Sequence, residues 1–192
     1  MKFWVSVLFL LMTTTMVQAH EWQVAPKQSK LSFISVKKST IGEVHSFDQL
    51  RGILSSDGHF ELTIPLSSVD TNIDIRDERM QSMLFEVTRY PKVILSANID
   101  KNLVNGMKQG DSRIIQVASQ LALHGRVQTV NLEVLIAKLS YSKILVTSYK
   151  PVIINATDFN LTKGLDSLKA IAKLSSISSA VPVSFVLTLV RK

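Results

Sequence analysis

The sequence predicts an all-β fold with two short helices, in which about eight antiparallel strands close into a barrel or split into a sandwich. Apolar and polar residues alternate along most of the chain, which is the period of a half-buried strand. Short loops rich in Gly, Asn, Asp and Ser separate these stretches, as in β-hairpins. So many antiparallel strands must protect their edges, either by closing the sheet or by stacking two sheets.

The first half of the chain contains four predicted strands. They lie at residues 31–36, 42–47, 51–54 and 60–66. A turn is expected at residues 55–58 (SSDG), because glycine adopts positive φ without strain. In the fourth strand Phe60, Leu62 and Ile64 alternate with polar residues, so one face of this strand is expected to be buried.

Residues 76–85 (RDERMQSMLF) interrupt the alternation and predict the first helix. The segment contains no β-branched residue, which favours a helix. Met80, Met83 and Leu84 have the spacing of a single helix face. The candidate caps are Thr71, Asn72 and Asp74.

The second half of the chain returns to strands. They are predicted at residues 92–100, 113–123, 128–139, 143–155 and 180–190. A loop with two glycines at 105–112 and a turn at His124-Gly125 connect the first three of them. Pro151 is expected to bend or end the fourth strand, because proline has no N–H to donate. Residues 163–174 have a helical pattern and predict the second helix.

The N-terminus is typical of a cleavable signal peptide covering residues 1–19. Lys2 supplies the positive region, residues 3–12 form an apolar run, and residues 17–19 (VQA) fit a small-x-small cleavage site. The alternative is a membrane anchor, but a spanning helix needs about 20 apolar residues. We therefore expect export to the periplasm and a mature single domain at residues 20–192.

Composition restricts the chemistry of the protein. The chain has no cysteine, which excludes disulfides, thiolate catalysis and cysteine-ligated metals. The four histidines lack metal-ligand spacing, so no metal is expected, although His20 at the mature N-terminus could bind copper with a second histidine. The net charge of +7 is scattered along the chain, which favours a diffuse positive surface and no nucleic-acid partner. No nucleophile elbow or phosphate-binding loop is present.

Several segments resemble the YceI family of lipocalin-like periplasmic proteins, in the family's order and spacing. They are residues 22–33 (WQVAPKQSKLSF), Phe47-x-x-Leu50-x-Gly52, 66–71 (LSSVDT), 75–80 (IRDERM), Leu84-Phe85, Tyr90-Pro91-Lys92, Leu121-x-Leu123-His124-Gly125 and Thr157-Asp158-Phe159. One departure stands just before Phe47, where the family often has glycine and this chain has His45 and Ser46.

The resemblance implies an eight-stranded antiparallel lipocalin-like β-barrel. Its pocket would hold an amphiphile with a polyisoprenoid tail, either an isoprenoid quinone or a polyprenyl phosphate. The apolar candidates for ligand binding are Phe33, Phe60, Leu62, Phe85, Leu121, Leu123, Phe185 and Leu187. The candidates for the polar head are Arg76, Arg79 and His124, with a structural ion pair as the alternative role of Arg76.

The predicted function is therefore non-enzymatic binding or carriage of an isoprenoid lipid, with no cofactor besides the lipid itself. One alternative is an interaction module that partners a membrane redox protein and has no obligatory ligand. Another is an enzyme acting on isoprenoid or quinone substrates. Transient contact with a membrane or a membrane protein is expected, and the oligomeric state is left open, with a dimer as one option.

Overall fold

The computed structural model describes residues 21–192 of the chain. The predicted signal peptide and His20 lie outside the described residues. The strands are β1 Trp22–Val24, β2 Lys30–Lys37, β3 Ile41–Phe47, β4 Arg51–Leu54, β5 His59–Pro65, β6 Val69–Asp70, β7 Lys92–Asn98, β8 Ser112–Leu123, β9 Arg126–Ser140, β10 Lys143–Ser148, β11 Val152–Asn155 and β12 Ala180–Arg191. The α-helices are α1 Asp74–Arg79, α2 Lys101–Asn105 and α3 Thr162–Ile171.

The strands close into an eight-stranded antiparallel barrel, which confirms the predicted fold class. Around the barrel the order is β1, β4, β5, β7, β8, β9, β10 and β12, and β12 pairs back onto β1. Closure places Trp22 opposite Arg191 and Val24 opposite Leu189. Every strand of the ring therefore has a neighbour on each side over part of its length, which protects much of the sheet edge.

Three of the barrel walls are made of two shorter strands in succession. A 3₁₀ turn at Pro26–Gln28 separates β1 from β2, and both strands pair with β12. Likewise β3 pairs with β2 while β4 pairs with β1. Pro151 divides the predicted strand 143–155 into β10 and β11, which both pair with β12. The break expected at this proline is confirmed, because a residue without an N–H interrupts the ladder.

The connections divide between the two ends of the barrel. One end carries the β2–β3 hairpin, α1, the His124-Gly125 turn and α3, and the opposite end carries the turn at 55–58 and α2. At Gly58 φ is +96°, and an added Cβ would lie 2.1 Å from the carbonyl oxygen of Ile99. Only glycine fits this turn, as the sequence predicts.

The helices differ in part from the prediction. The first helix begins at Asp74 as α1 and continues as a π-helical turn over Met80–Leu84. Its N-cap is Ile73, without a side-chain cap bond, so the predicted caps are wrong. Instead the carboxylate of Asp77 accepts a hydrogen bond of 2.9 Å from the backbone N–H of Thr71. This bond holds the segment that precedes the helix against its first turn.

The second predicted helix is present as α3, and its close packing depends on one glycine. A Cβ at Gly164 would lie 2.7 Å from the Cα of Leu84, so glycine allows α3 to approach the π-helical turn. Helix α2 was not expected from the sequence. Asp100 caps it by accepting from the N–H of Asn102, and the helix buries Val104.

Candidate functional site

The barrel encloses an apolar cavity of about 510 Å³. Its wall consists of inward-facing side chains from the strands, and the π-helical turn and α3 cover part of it. The alternation in β12 shows how the sequence builds this wall, since Val181, Val183, Phe185, Leu187 and Leu189 all line the cavity. A volume of this size is within the range of about 300–1,000 Å³ that is typical of small-molecule sites.

The structure brings most of the predicted site residues to this cavity. Those that line it are Phe33, Phe60, Leu62, Arg76, Arg79, Phe85, Leu121, Leu123, Phe185 and Leu187. They come from four strands, from α1 and from the end of the π-helical turn, so only the closed barrel places them together.

His124 is the exception, because the structure places it outside the cavity wall. It occupies the β8–β9 turn with a φ of +49°, so it leaves the strand alternation that directs Leu121 and Leu123 inward. Its ring packs against Tyr90 with the ring centroids 4.3 Å apart, and Nε2 lies 3.4 Å from a carboxylate oxygen of Glu86 without hydrogen-bond geometry. The structure therefore places His124 outside the cavity lining, where the residue packs the turn.

Polar groups line the cavity only at the end that carries the β2–β3 hairpin. We call these residues the polar end of the cavity: Ser35, Lys37, Glu43, His45, Arg76, Arg79 and Ser178. The remaining lining residues are apolar. The cavity is therefore amphipathic along its length, apolar through the barrel and polar where the hairpin meets α1.

Glu43 organises the charges of the polar end. One oxygen of its carboxylate accepts from Lys37 Nζ at 2.7 Å and from Arg76 Nη1 at 2.6 Å. The hydrogen bond from Lys37 is the main reason that the pKa of Glu43 is lowered, and the positive charge of Arg76 adds to this effect against the cost of burial. Arg76 also donates from Nη2 to the carbonyl oxygen of Thr71 at 2.6 Å. Arg76 therefore lines the cavity and also forms the structural ion pair that was its alternative role.

His45 is the most deeply buried polar residue of this group, with 4% of its surface exposed. Its Nε2 lies 2.8 Å from Ser35 Oγ, and its ring packs 5.2 Å from the ring centroid of Phe33. Burial lowers the pKa of His45, and the nearby charge of Arg76 lowers it further. Its Nδ1 is buried without a hydrogen-bond partner within residues 21–192. The polar end thus contains an imidazole of lowered pKa beside an ion network of two cations and one carboxylate.

Sequence reasoning missed Ser35, Lys37, Glu43 and His45 as lining residues. The signal was present in the alternation, since residues 33, 35 and 37 share one face of β2 and residues 43, 45 and 47 share one face of β3. Once Phe33 is assigned to the interior, Ser35 and Lys37 follow. Polar side chains on this face were not expected, because the inner face of a strand is normally apolar.

The cavity opens to solvent at the polar end. Ile171 and Ala172, at the end of α3, line the cavity and are also exposed at the surface. We call this the open end of the barrel. At the opposite, closed end the interior is filled by Trp22, Val104, Met107 and Lys138, all of which are buried. The opening of the cavity therefore lies beside the polar groups.

Two further features bear on the class of site. Within residues 21–192 no cluster of three or more His, Asp or Glu side chains is arranged to hold a metal ion. In the same part of the chain, no helix has the length and apolar character needed to cross a membrane.

Comparisons with solved structures identify proteins of the same fold. A polyisoprenoid-binding domain from Saccharophagus degradans, implicated in plant cell wall breakdown, superposes with a TM-score of 0.87 at 34% identity, over 89% of this chain and 98% of that one. BcnA from Burkholderia cenocepacia gives a TM-score of 0.66 at 18% identity, over 86% and 98% of the two chains. The YceI protein of Campylobacter jejuni gives 0.56 at 15% identity, over 77% and 84%. The last two similarities concern the fold alone.

The sequence comparison covers the same region as the barrel. No curated protein matches the chain. The YceI-like domain matches residues 22–189, which extend from the first barrel strand almost to the end of the last. Together with the Saccharophagus degradans domain, this match confirms the resemblance that the sequence motifs indicated. The chain belongs to the YceI-like domain family.

Proposed function

We propose that the protein binds an amphiphilic lipid with a polyisoprenoid tail, either an isoprenoid quinone or a polyprenyl phosphate, and carries it as a non-enzymatic binding protein. The observation that carries this proposal is the amphipathic cavity, which is apolar through the barrel and polar only at its open end. A ligand of matching shape has a long apolar tail and a small polar head. The relative from Saccharophagus degradans, described as a polyisoprenoid-binding domain, supports the same class of ligand.

Burial of the tail supplies the affinity. Removing apolar surface from water is worth about 25 cal/mol per Å², so a long isoprenoid chain gains many kcal/mol on entering such a cavity. Part of this gain is offset by the ordering of a flexible chain. A wall of aliphatic and aromatic side chains offers no hydrogen-bonding group, so it selects the tail only by shape. The tail therefore contributes affinity more than selectivity.

The head group lies at the polar end in this proposal. Arg79 lines the cavity and forms no ion pair within the described residues, so its guanidinium is able to donate to a ligand oxygen. Arg76 and Lys37 are already held by Glu43, so their role is to keep the positive charge in place. Donors of this kind suit the carbonyl oxygens of a quinone and the oxygens of a phosphate alike.

The chemistry of the Ser35–His45 pair, which resembles a nucleophile and a base, favours a binding role over catalysis. Ser35 Oγ and His45 Nε2 are within hydrogen-bond distance at 2.8 Å. In a serine hydrolase the second ring nitrogen of the histidine is oriented by a carboxylate, but His45 Nδ1 has no partner among the described residues. Burial also lowers the pKa of His45, which weakens it as a base.

We further propose that the barrel works in the periplasm as a single domain after removal of residues 1–19. The apolar run and the small-x-small site at the N-terminus support this location. The experiment that tests it is N-terminal sequencing of protein recovered from periplasm, which should begin at or near His20. A membrane-bound form that retains Met1 would contradict the proposal.

The ligand is tested by extracting protein purified from native periplasm with organic solvent and analysing the extract by mass spectrometry. We expect an isoprenoid lipid at close to one molecule per chain. Leu123→Glu puts a carboxylate among the lining residues and should remove the lipid while the barrel still folds, because the cavity can admit water to the charge. Val127→Glu, on an exposed position of the neighbouring strand, is the matched control and should retain it.

Two results would overturn the proposed ligand. One is wild-type protein that carries no lipid and binds none of a panel of quinones and polyprenyl phosphates. That result would favour the alternative, an interaction module without an obligatory ligand. The other is equal lipid content in Leu123→Glu and Val127→Glu, which would place the lipid outside the cavity.

A further inference from the structure

We propose that the open end of the barrel docks on the surface of an anionic lipid bilayer, so that a lipid passes between bilayer and cavity without crossing water. The docking surface is the rim of the mouth, formed by the tip of the β2–β3 hairpin, the N-terminal part of α1 and the C-terminal end of α3. The proposal rests on the proposed function, because a lipid ligand must leave a bilayer to reach the cavity.

Backbone hydrogen bonds join two of the rim segments into one surface. The N–H of Lys38, at the hairpin tip, donates to the carbonyl oxygen of Ser176 at 3.0 Å. The N–H of Ser178 donates to the carbonyl oxygen of Val36 at 2.9 Å. Lys37 also forms a β-bridge with Ile177 in the segment that follows α3. The hairpin tip and the segment after α3 are therefore held together at the mouth.

The third rim segment, α1, is tied to the hairpin through side chains. Arg76 in α1 binds Glu43 in β3, and the same carboxylate binds Lys37 in β2. Arg76 and Arg79 both line the cavity, so this helix borders the mouth as well. All three segments consequently face the same approaching surface.

The rim carries a set of large apolar side chains that leave about half of their surface exposed. We call them the rim isoleucines: Ile41 (45% exposed), Ile73 (48%), Ile75 (51%) and Ile171 (46%). Single exposed apolar residues are ordinary, but several around one opening indicate an interaction site. The closed end also has exposed apolar residues, at Ile53, Ile114, Leu139 and Tyr141, and the ring of Tyr141 is covered by the guanidinium of Arg191 at 4.6 Å.

Charge on the rim favours a bilayer as the occupant. Lys38 and Lys173 are exposed and form no ion pair within the described residues, and both lie on segments beside the mouth. The α1 side of the rim carries the exposed acidic residues Asp74 and Glu78. The positive side of the rim is therefore the hairpin tip and the end of α3. Ile41 and Ile171, which have Lys38 and Lys173 close by in the chain, match the interface of an anionic bilayer, where isoleucines enter the headgroup region and lysines contact lipid phosphates. Ile73 and Ile75 flank Asp74 and contribute apolar contact alone.

Direct docking also removes an energetic obstacle. An isoprenoid tail that crossed water would expose its whole apolar area, at a cost that grows with that area. If the mouth lies against the bilayer, the tail leaves one apolar environment as it enters the other. The polar end then meets the head group first, because it lies at the same opening.

Vesicle flotation tests the docking surface. Wild-type protein should float with phosphatidylcholine vesicles that contain about a quarter phosphatidylglycerol, and much less with pure phosphatidylcholine. The double variant Lys38→Glu/Lys173→Glu should bind the anionic vesicles at least about tenfold more weakly than wild type. Raised salt should weaken wild-type binding in the same way. Ile41→Ser/Ile75→Ser should also reduce binding, but with less dependence on salt.

Matched controls lie at the closed end. Lys101→Glu/Lys108→Glu has the same change in net charge at exposed positions in and beyond α2 and should bind within about twofold of wild type. Equal loss of binding in this control would show that total charge, and not the rim, attracts the protein, and would overturn the proposal. Wild-type protein that does not distinguish the two kinds of vesicle would also overturn it, and would point to a membrane protein as the partner.

Lipid binding by each variant separates this proposal from the proposed function. Lys38, Lys173, Ile41 and Ile75 do not line the cavity, so their variants should bind a detergent-solubilised isoprenoid lipid as well as wild type does. Wild-type protein that carries lipid but ignores anionic vesicles would disprove docking and leave the proposed function intact. Wild-type protein that carries no lipid, and binds none of the panel, would disprove the proposed function whatever its behaviour with vesicles.

Discussion

Both ends of the barrel place charged side chains beside the interior, but they stabilise these charges in different ways. At the closed end Lys138 is 7% exposed, and its Nζ lies 4.6 Å from the ring centroid of Trp22 and 3.5 Å from the carbonyl oxygen of Val104. At the open end Lys37 and Arg76 share the carboxylate of Glu43. One end therefore stabilises a cation with an aromatic face and a carbonyl, and the other with an opposite charge.

This difference shows how one barrel can be closed at one end and keep an open cavity with polar groups at the other. An aromatic ring compensates a cation while it also fills space, so Trp22 and Lys138 close the interior together. An ion network leaves polar atoms beside the cavity, and His45 Nδ1 is one that has no partner among the described residues. The predictions below change each end in turn.

The largest effect is expected from Trp22→Ala at the closed end. Truncation of a tryptophan that is 5% exposed leaves a cavity and an uncovered lysine, so the free energy of unfolding should fall by about 3–5 kcal/mol. Denaturant unfolding measures this loss, with Gln23→Ala on the outward face of β1 as the control. A loss as small as that of the control would mean that the ring does not seal this end.

Glu43→Gln should have a smaller effect at the open end. The change leaves Lys37 and Arg76 without their carboxylate, but the side chain of Glu43 is about one-third exposed and solvent screens the unpaired cations. We expect a loss of about 1 kcal/mol in the free energy of unfolding. Glu61→Gln, at an exposed strand position, should cause no measurable change. Equal stability of the two variants would show that the network contributes nothing.

His45 should make the open end sensitive to mild acid. Its pKa in the folded protein is lowered from the usual 6.5, mainly by burial, so below that pH the unfolded chain binds more protons than the folded one. Stability should therefore decrease as the pH falls from about 7 towards 5. In His45→Gln, which keeps a polar side chain but does not titrate, the decrease in melting temperature over this range should be smaller. An identical decrease would assign the effect to other groups.

The smallest effect is expected from Lys138→Met at the closed end. Replacing a buried charge by an apolar side chain of similar length is often neutral, so the free energy of unfolding should stay within about 1 kcal/mol of wild type. Burial and the nearby charge of Arg191 lower the pKa of Lys138 from 10.5, so wild-type stability should rise as the pH approaches that value. The variant should lack this rise, and a variant that shows it would place its origin elsewhere.

Much of the wall could be predicted from the sequence because strand alternation is a local property. In β12 every second residue from Val181 to Leu189 lines the cavity, as its alternation indicates. Turns were predictable where the backbone demands glycine, as at Gly58. Helix α2 was missed because its five residues have no strong helical pattern, and the helix depends on the Asp100 cap and on the burial of Val104.

The site was predictable only in part, because alternation ends where the backbone turns. Leu121 and Leu123 follow the alternation of β8 into the cavity, while His124 has positive φ and leaves it. Glu43 and His45 obey the alternation of β3 but were not assigned to the interior, since polar residues on a short, weakly apolar strand suggest its outer face.

The sequence alone determined the all-β class, the apolar faces of its strands and the family motifs that imply a barrel, because each of these is encoded in spacing over a few residues. Only the tertiary structure decided that the polar groups collect at one end of the cavity and that Lys138 is buried at the other. Glu43 and Arg76 are 33 residues apart in the chain, and Trp22 and Lys138 lie on β1 and β9. Contacts of this kind depend on how the barrel closes and on the register of its strands, which no local pattern specifies.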